Sequence, residues 1–452
     1  LGVHLIIHPV MRVKRDDKGK LISVYQKKGK LGSAESIMQF QVDRRTRKKD
    51  LAEIECRLKA ALADVWLAVS DWRAMEEKAS EASQCLAAWA PQVEKGLMNE
   101  CREFMQWLMD DYYIFLGVRD YRISKHKGRY QLTIVPDSGL GILRETDKTV
   151  TSRPLSSLAD EARRRKQKNP LIITKTNARS TVHRSGYLDY IGVLRFDENG
   201  RTIGERRFLG LFTSMAYNLN VMDTPLVRMR AQGILNDVNL QEGSHAWKSM
   251  VHYLETLPRD ELLQANSVEL RDIATGVLNL QERSRVRLFI RRERYGRFYS
   301  CLVYIPRERF NTENREAIQG LLFRALKGQR LDYGVSVSES RLARLQVIVR
   351  PRAGVEIDPD VPALEQKIVD IGRSWTDSLT STLLEKFGEE IGLRYAARFS
   401  KSFPEAYKED LSPWVAAFDV ENAAAVDGGE DLRMSLYRPR KPVNGIIRFK
   451  LF

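Results

Sequence analysis

Between Thr174 and Tyr190 the chain reads TKTNARSTVHRSGYLDY. Thr176, Asn177, Arg179, His183 and Arg184 crowd hydrogen-bond donors into nine residues, and Arg206 follows in GERR (Gly204 to Arg207) on the strand expected to pair alongside. A guanidinium presents parallel N–H groups that match a carboxylate or a phosphate. The pattern points to a small bound anion, with Arg179, His183, Arg184 and Arg206 as the candidate residues. The same residues also read as a polar loop neutralised by Asp189 and Glu205, and spacing alone leaves both readings open.

A second stretch, RRERYGRFYSCLVYIPRERF (Arg291 to Phe310), sets aromatics among arginines on a strand. A sheet that stacks RNA bases needs exposed aromatics on neighbouring strands. Here Tyr299 shares its face with Cys301, Val303 and Ile305, which reads as core, and the preceding strand supplies Phe289 alone. Nucleic acid is therefore not an expected partner. Other chemistries find little footing. GLGILR (Gly139 to Arg144) has two of the three glycines of a dinucleotide loop and no βαβ pattern around it. The sequence holds no GxxxxGK[ST], HExxH or GxSxG, and its six histidines and four cysteines fall at no zinc spacing. No catalytic, cofactor or metal residue is assigned.

The elements that must position these residues follow from length and pattern. The 452 residues allow roughly three domains. The 43% hydrophobic content suffices for packed cores, and the net charge of +15 is spread along the chain, favouring acidic metabolites or surfaces over one patch. Free thiols without CxxC spacing suit a reducing cytoplasm, and no apolar run approaches the roughly 18 residues of a membrane span. Residues 3–13 and 20–26 read as a strand pair and Ser36 to Asp43 as a third strand. Asp50, with Glu53 three positions on, reads as the capping box of a long helix. Its stripe Leu51, Ile54, Leu58, Leu62, Val65, Val69 and Trp72 is expected in a core or an oligomer contact. A second helix runs from about Glu94 to Asp110. Five strands between Tyr112 and Tyr217 form one sheet, with a polar helix at 155–168 and a hairpin across DENG (Asp197 to Gly200).

Helices near 225–239 (capped by Thr224), 244–256 and 267–282 lead to the order α-β-β-α-β-β across 267–351. This predicts a four-stranded antiparallel sheet with its helices on one face, as in ferredoxin-like and ACT domains. Residues 362–420 read as helices, and DLRMSLYRP starts a further strand. Both ends, LGVHLIIHPVMRV and NGIIRFKLF, read as strands, so the expectation is a piece of a longer protein.

LIIHPVMRVKRD, YIFLGVRDY, ETLPRDELLQ, RRERYGRFYSCLVYIPRERFNT and above all the run from Thr174 to Asn218 resemble the N-terminal half of the large bacterial NAD-specific glutamate dehydrogenases. The resemblance implies an α+β chain of several small antiparallel-sheet domains joined by helical segments. It implies a partial ACT-type domain with a long helix at 1–90, a linking helix at 91–111 and a PAS-like sheet domain at 112–220. A helical linker at 221–283, an ACT-type sandwich at 284–351, a helical segment at 352–429 and the start of another ACT-type domain from 430 to 452 follow. The intact enzyme would use NAD to oxidise L-glutamate to 2-oxoglutarate and ammonia in the cytoplasm, as a homo-oligomer. This segment would regulate it through an amino-acid or other small acidic effector, act on its own downstream catalytic domain, and carry no cofactor and no membrane contact. The readings set against it are a stand-alone amino-acid sensor and an RNA-binding regulator.

Overall fold

The computed structural model describes residues 2–25, 32–126, 129–144, 169–280, 285–337, 340–352, 354–429, 431–437 and 448–452. The expected helix at 155–168 lies outside them. The fold class is α+β, with small antiparallel sheets separated by helices.

The N-terminal strands are shorter than their sequence suggests. The run 3–13 breaks at His8 and Pro9 into β1 (Val3–Ile7) and β2 (Val10–Arg15), since proline cannot donate to the ladder. β2 pairs with β3 (Leu21–Tyr25) and β4 (Ser33–Ser36), while β1 pairs with β5 (Gln39–Val42). The helix α1 (Lys48–Trp89) then runs for 42 residues, roughly 60 Å. It starts two residues before Asp50 and has no side-chain cap, because Asp50 already lies in the first turn and accepts from Arg47 Nε at 3.1 Å. Its buried face belongs to the C-terminal half: Ala68, Asp71, Met75, Ala79, Ala82 and Leu86, at steps of three and four. The predicted stripe instead faces solvent within the single chain: Leu58 is 50% and Val69 63% exposed.

After α2 (Lys95–Trp107) a π-helical turn swings the chain into β6 (Tyr113–His126). β7 (Arg129–Ile134), the two-residue β8 (Leu140–Gly141), β9 (Leu171–Arg179), β10 (Tyr187–Phe196) and β11 (Thr202–Phe212) complete one sheet. Its order is β7-β6-β11-β10-β9, with β8 beside β6. The β10–β11 hairpin closes as expected across Asp197, whose carboxylate accepts from the Asn199 and Arg201 N–H groups. Helix α1 covers one face of this sheet.

Five helices follow: α3 (Ser214–Asn218), α4 (Val227–Asp237), α5 (His245–Thr256), α6 (Arg259–Gln264) and α7 (Ser267–Leu278). Thr224 does not cap α4. That helix begins after Leu226, and the Thr224 hydroxyl donates to the Asn220 carbonyl instead.

The four-stranded sheet is β12 (Arg287–Arg292), β13 (Tyr299–Pro306), β14 (Gly328–Ser336) and β15 (Leu342–Pro351), in the order β12-β13-β15-β14, all antiparallel. Helix α8 (Thr312–Ala325) is capped by Asn311 and packs on one face together with α9 (Val361–Ile371). Begun at β15 and closed end to start, the succession is β-α-β-β-α-β, a rotated ferredoxin-like order. The second covering helix is therefore α9. The preceding α7, expected on that face, packs on the opposite one, where the Phe289 ring meets the backbone at Gly276. Both faces of β13 are consequently buried: Tyr299, Cys301, Val303 and Ile305 against α8 and α9, Leu302 and Tyr304 in the larger core shared with the six-stranded sheet and α4–α7. Each such side chain contributes about 1.5–3 kcal/mol of burial.

Helices α10 (Trp375–Phe399), α11 (Glu405–Asp410) and α12 (Pro413–Asp427) form a separate small core. Strand β16 (Met434–Tyr437) pairs with β17 (Arg448–Leu451) beyond it.

Candidate functional site

The six-stranded sheet, helix α6 and the open face of the four-stranded sheet meet around a cavity of about 300 Å³. That is the low end of the size range for small-molecule pockets, roughly 300–1,000 Å³. The segment singled out in the sequence supplies one wall, through Lys175, Arg179 and Tyr187. Asp260 and Gln264 of α6 supply the second, and Asp332 of β14 with Ile348 and Arg350 of β15 the third. The β14–β15 register pairs Asp332 with Ile348. Arg350, two residues on, therefore shares the Asp332 face, diagonally across the ladder at roughly 7–8 Å between Cα atoms.

Arg350 is buried, at 5% exposure. Its guanidinium stacks 3.6 Å from the Tyr187 ring centre and its Nη1 donates to Asn177 Oδ1 at 2.6 Å. Its Nε has no hydrogen-bond partner among the described residues. Burial lowers the Arg350 pKa below its ordinary value, with Tyr187 and Asp332 opposing the shift. Arg179 is half-exposed, lies 4.8 Å from the same Tyr187 ring, and donates from Nη2 to Asp332 Oδ1 at 2.6 Å. Its pKa is raised, first by hydrogen bonding with Tyr187 and then by the Asp332 charge. The second Asp332 oxygen, Oδ2, is buried without a partner among the described residues, and so is Oε1 of Gln264. Lys175 is held between Asp189 at 2.6 Å and Asp260 at 3.2 Å. Burial opposes its charge, and the two carboxylates outweigh burial and raise its pKa.

Buried polar contacts lock the three walls together beneath the cavity. Glu261, on α6, accepts from Arg291 Nε at 2.8 Å and Nη2 at 3.2 Å and from the Ser300 hydroxyl. Glu293 accepts from Thr174 Oγ1 at 2.8 Å and from Arg297 Nη2 at 3.0 Å. These pairs join β12 and β13 to α6 and to β9.

The sequence-predicted residues do not all gather here. Arg179 lines the cavity and Asn177 braces Arg350. His183 is exposed, in a left-handed conformation (φ 67°), at the tip of the turn between β9 and β10. Arg184 is exposed and spends Nη2 on the Phe212 carbonyl at 2.9 Å. Arg206 lies on the sheet face under α1, only 2% exposed, bound to Asp120 at 2.7 Å and Glu81 at 3.0 Å. The alternation of β11 sends it away from the cavity, and two carboxylates already occupy it. Asp332, Arg350 and Gln264 escaped the sequence reading, because nothing local marks a single charge far along the chain as facing Arg179.

Two other regions have different roles. A larger cavity of about 600 Å³ lies among α10–α12 and β17, where Lys450 is already paired with Asp419 and contacts Tyr407. The aromatics of Arg291 to Phe310 offer no stacking platform: Phe298, Tyr299 and Tyr304 are buried. As to a dinucleotide, the GLGILR glycines do not fit a phosphate cradle. A Cβ at Gly141 would sit 2.1 Å from the Leu116 carbonyl oxygen, and one at Gly139 2.3 Å from that of Leu143, so both serve close backbone packing. Among the described residues no group of His, Cys, Asp and Glu is placed to hold a metal ion, and no helix is long and apolar enough to cross a membrane.

Comparison with known proteins fits this architecture. Residues 1–58 match the family description "Glutamate dehydrogenase, ACT1 domain" and residues 287–376 "Glutamate dehydrogenase, ACT2 domain". Residues 224–283 and 382–426 match helical motifs 1 and 2 of the same enzyme. The chain is 37% identical, over its whole length, to the NAD-specific glutamate dehydrogenase of Halomonas elongata, covering 28% of that protein. It is 32% identical over 97% of its length to that of Pseudomonas aeruginosa, covering 27%, and 28% identical over 92% to that of Mycobacterium tuberculosis, covering 25%. The chain thus spans about a quarter of the length of these curated relatives. With both ACT domains and both helical motifs matched in order, the chain belongs to the large NAD-specific glutamate dehydrogenase family, as its N-terminal region.

Proposed function

We propose that this chain is the regulatory and assembly segment of a cytoplasmic NAD-dependent glutamate dehydrogenase. The whole enzyme would convert L-glutamate, NAD and water to 2-oxoglutarate, ammonia and NADH, with NAD bound outside this segment. One observation carries the reading: the matched regions are ACT domains and helical motifs, in a chain that covers about a quarter of each relative. The division proposed is the one set out above, from the ACT-type start at 1–90 through the PAS-like sheet at 112–220 and the sandwich at 284–351 to the further domain from 430. Support comes from the separate sheets and from the buried contacts that tie the middle ones to α6.

An amino-acid or other small acidic effector enters the cavity beside Arg179, and the ligand's contacts with three walls bias the catalytic part. A coupling of about 1–3 kcal/mol gives a several-fold or larger change in affinity. Homo-oligomer contacts use the solvent-facing stripe of α1, where Leu51, Leu58 and Leu62 are each about half exposed. The test is spectrophotometric. The purified 452-residue chain yields no glutamate-dependent NADH, and a protein extended to the full length of its relatives does. Turnover by the 452-residue chain alone, or none by the extended protein, would overturn the proposal.

A further inference from the structure

Strand β12 is an edge of the four-stranded sheet, and no other strand among the described residues pairs with its outer side. Its ladder with β13 is antiparallel, so the backbone groups of successive residues point alternately to the partner and away from it. The Leu288 N–H points away, donating to Glu365 Oε2 of α9 at 2.8 Å. By the same alternation Ile290 turns its N–H and C=O outward. Two cavities follow this edge and meet at Arg287, one of about 440 Å³ towards Arg291 and one of about 250 Å³ towards Arg285. Helix α7 walls both, through Ile273 and Gly276, and α9 does so through Val361 and Glu365. The two helices lie on opposite faces of β12, α7 against Phe289 and α9 in the core that holds Leu288. The cleft is thus an open strand position, covered on both faces and about 20 Å long at the rise of a strand.

The two ends of the cleft carry opposite charge. Arg285 and Arg287 stand at the end where β12 begins, with Glu365 Oε1 accepting from Arg287 at 3.2 Å. At the other end α7 sets Glu269 and Asp272, while Arg291 is spent on Glu261. Asp272 is 68% exposed, and its neighbour Arg271, 3.8 Å away, also reaches Asp237 at 3.6 Å. We propose that the β12 edge binds an extended peptide segment of another protein as a fifth, antiparallel strand. The segment is apolar in its middle, with Lys or Arg at its N-terminal end beside Glu269 and Asp272 and Asp or Glu at its C-terminal end beside Arg285 and Arg287. Antiparallel pairing runs the peptide against β12, which fixes that order of charges. Main-chain hydrogen bonds supply the affinity of an added strand, and the flanking pockets select its side chains. Glu365 occupies the Leu288 N–H until a peptide carbonyl replaces it, and a charge set over a bare edge keeps it from pairing with any strand it meets.

Fluorescence anisotropy tests this with the 452-residue chain and a labelled peptide, Lys-Val-Thr-Ile-Ala-Val-Glu, with blocked ends. The peptide binds saturably. Two controls bind about tenfold or more weakly. One has its Lys and Glu exchanged. The other is N-methylated on the adjacent Thr and Ile, one of whose amides must face β12. Asp272→Lys, at an exposed position, reverses the preference between the two charge orders, and unchanged thermal unfolding shows that the variant is folded. Hydrogen exchange at the Ile290 amide slows when the peptide is bound. No saturable binding, equal binding of either control, an unprotected Ile290 amide, or an unchanged charge preference in Asp272→Lys overturns the proposal. A fall in the mass of the chain by light scattering on adding the peptide assigns the edge to a second copy of the chain and overturns it as well.

Discussion

Replacing Glu261 by glutamine should loosen the junction between helix α6 and the four-stranded sheet. The Glu261 carboxylate is 1% exposed and receives two hydrogen bonds from Arg291, itself 6% exposed, and one from Ser300. Burial alone would lower the Arg291 pKa, and the Glu261 charge outweighs burial and raises it. Glutamine keeps the shape and an acceptor for Ser300 but leaves the guanidinium charge uncompensated. Removing one partner of a buried ion pair costs about 3–5 kcal/mol. At about 1.4 kcal/mol per factor of ten, the junction then opens roughly a hundredfold to a few thousandfold more often.

Hydrogen exchange suits the measurement, because a chain of several cores does not unfold in one step. Amides of β12, β13 and α6 should exchange faster in Glu261→Gln by that factor, while α10–α12 stay unchanged. The double variant Glu261→Gln with Arg291→Met should recover much of the loss, since an apolar replacement of similar volume removes the stranded charge. Acceleration below about tenfold in the single variant, or a double variant worse than the sum of its parts, would refute the argument that this pair fixes the junction.

Three further outcomes follow from the same contacts. Burial opposes the Glu293 charge, but Arg297 and the hydrogen bond from Thr174 outweigh it and lower its pKa below 4.5. The stability it contributes is therefore full above that value and is lost as pH falls through the lowered folded pKa. Glu293→Gln should flatten the dependence of unfolding on pH between about 5 and 3, where the unfolded-state carboxyl titrates, and an unchanged slope would count against the link. Burial pushes the Cys101 thiol up to about 12 and raises that of Cys301. Both should resist a thiol reagent at pH 8 until the chain is denatured, whereas exposed Cys56 reacts at once; native labelling of Cys301 at the rate of Cys56 would contradict the buried sheet. Leu58→Asp, on the solvent-facing stripe of α1, should reduce the mass seen by light scattering without lowering the melting temperature, and an unchanged assembly would move the oligomer contact elsewhere.

Local pattern carried much of the architecture. The β10–β11 hairpin was legible because Asp197 and Gly200 bring turn chemistry to a fixed place between two apolar runs. The start of α8 carries the same kind of local signal, an Asn311 side chain that accepts from the Asn314 N–H. Strand β13 was legible as a strand but not as a doubly buried one. On its second face Leu302 and Tyr304 are apolar too, and alternation carries no information when both faces are covered. The α1 stripe leaves its cover open: apolar spacing reports that a face is sticky, and within the single chain that face meets solvent and not a core. Arg206 shows the limit for the site. Its place in the sequence fits an anion cluster, yet strand alternation sends it under α1 to Asp120 and Glu81. Asp332 and Arg350 were silent because a charge reads the same in sequence whether it meets water or a neighbouring sheet.

The junction is stiff at its floor and weak at its rim, and that difference gives a bound molecule something to act on. Glu261–Arg291 and Glu293–Arg297 are shielded from solvent on the carboxylate side, so breaking either leaves a charge stranded. Arg179–Asp332 closes the rim with side chains 50% and 33% exposed. A pair so open to water is worth only about 0–1 kcal/mol. Behind that pair, buried Arg350 ties the same two sheets through Asn177 at 2.6 Å and the Tyr187 ring at 3.6 Å. Because β9, α6 and β15 all reach this point, an effector held here would touch both sheets rather than one alone.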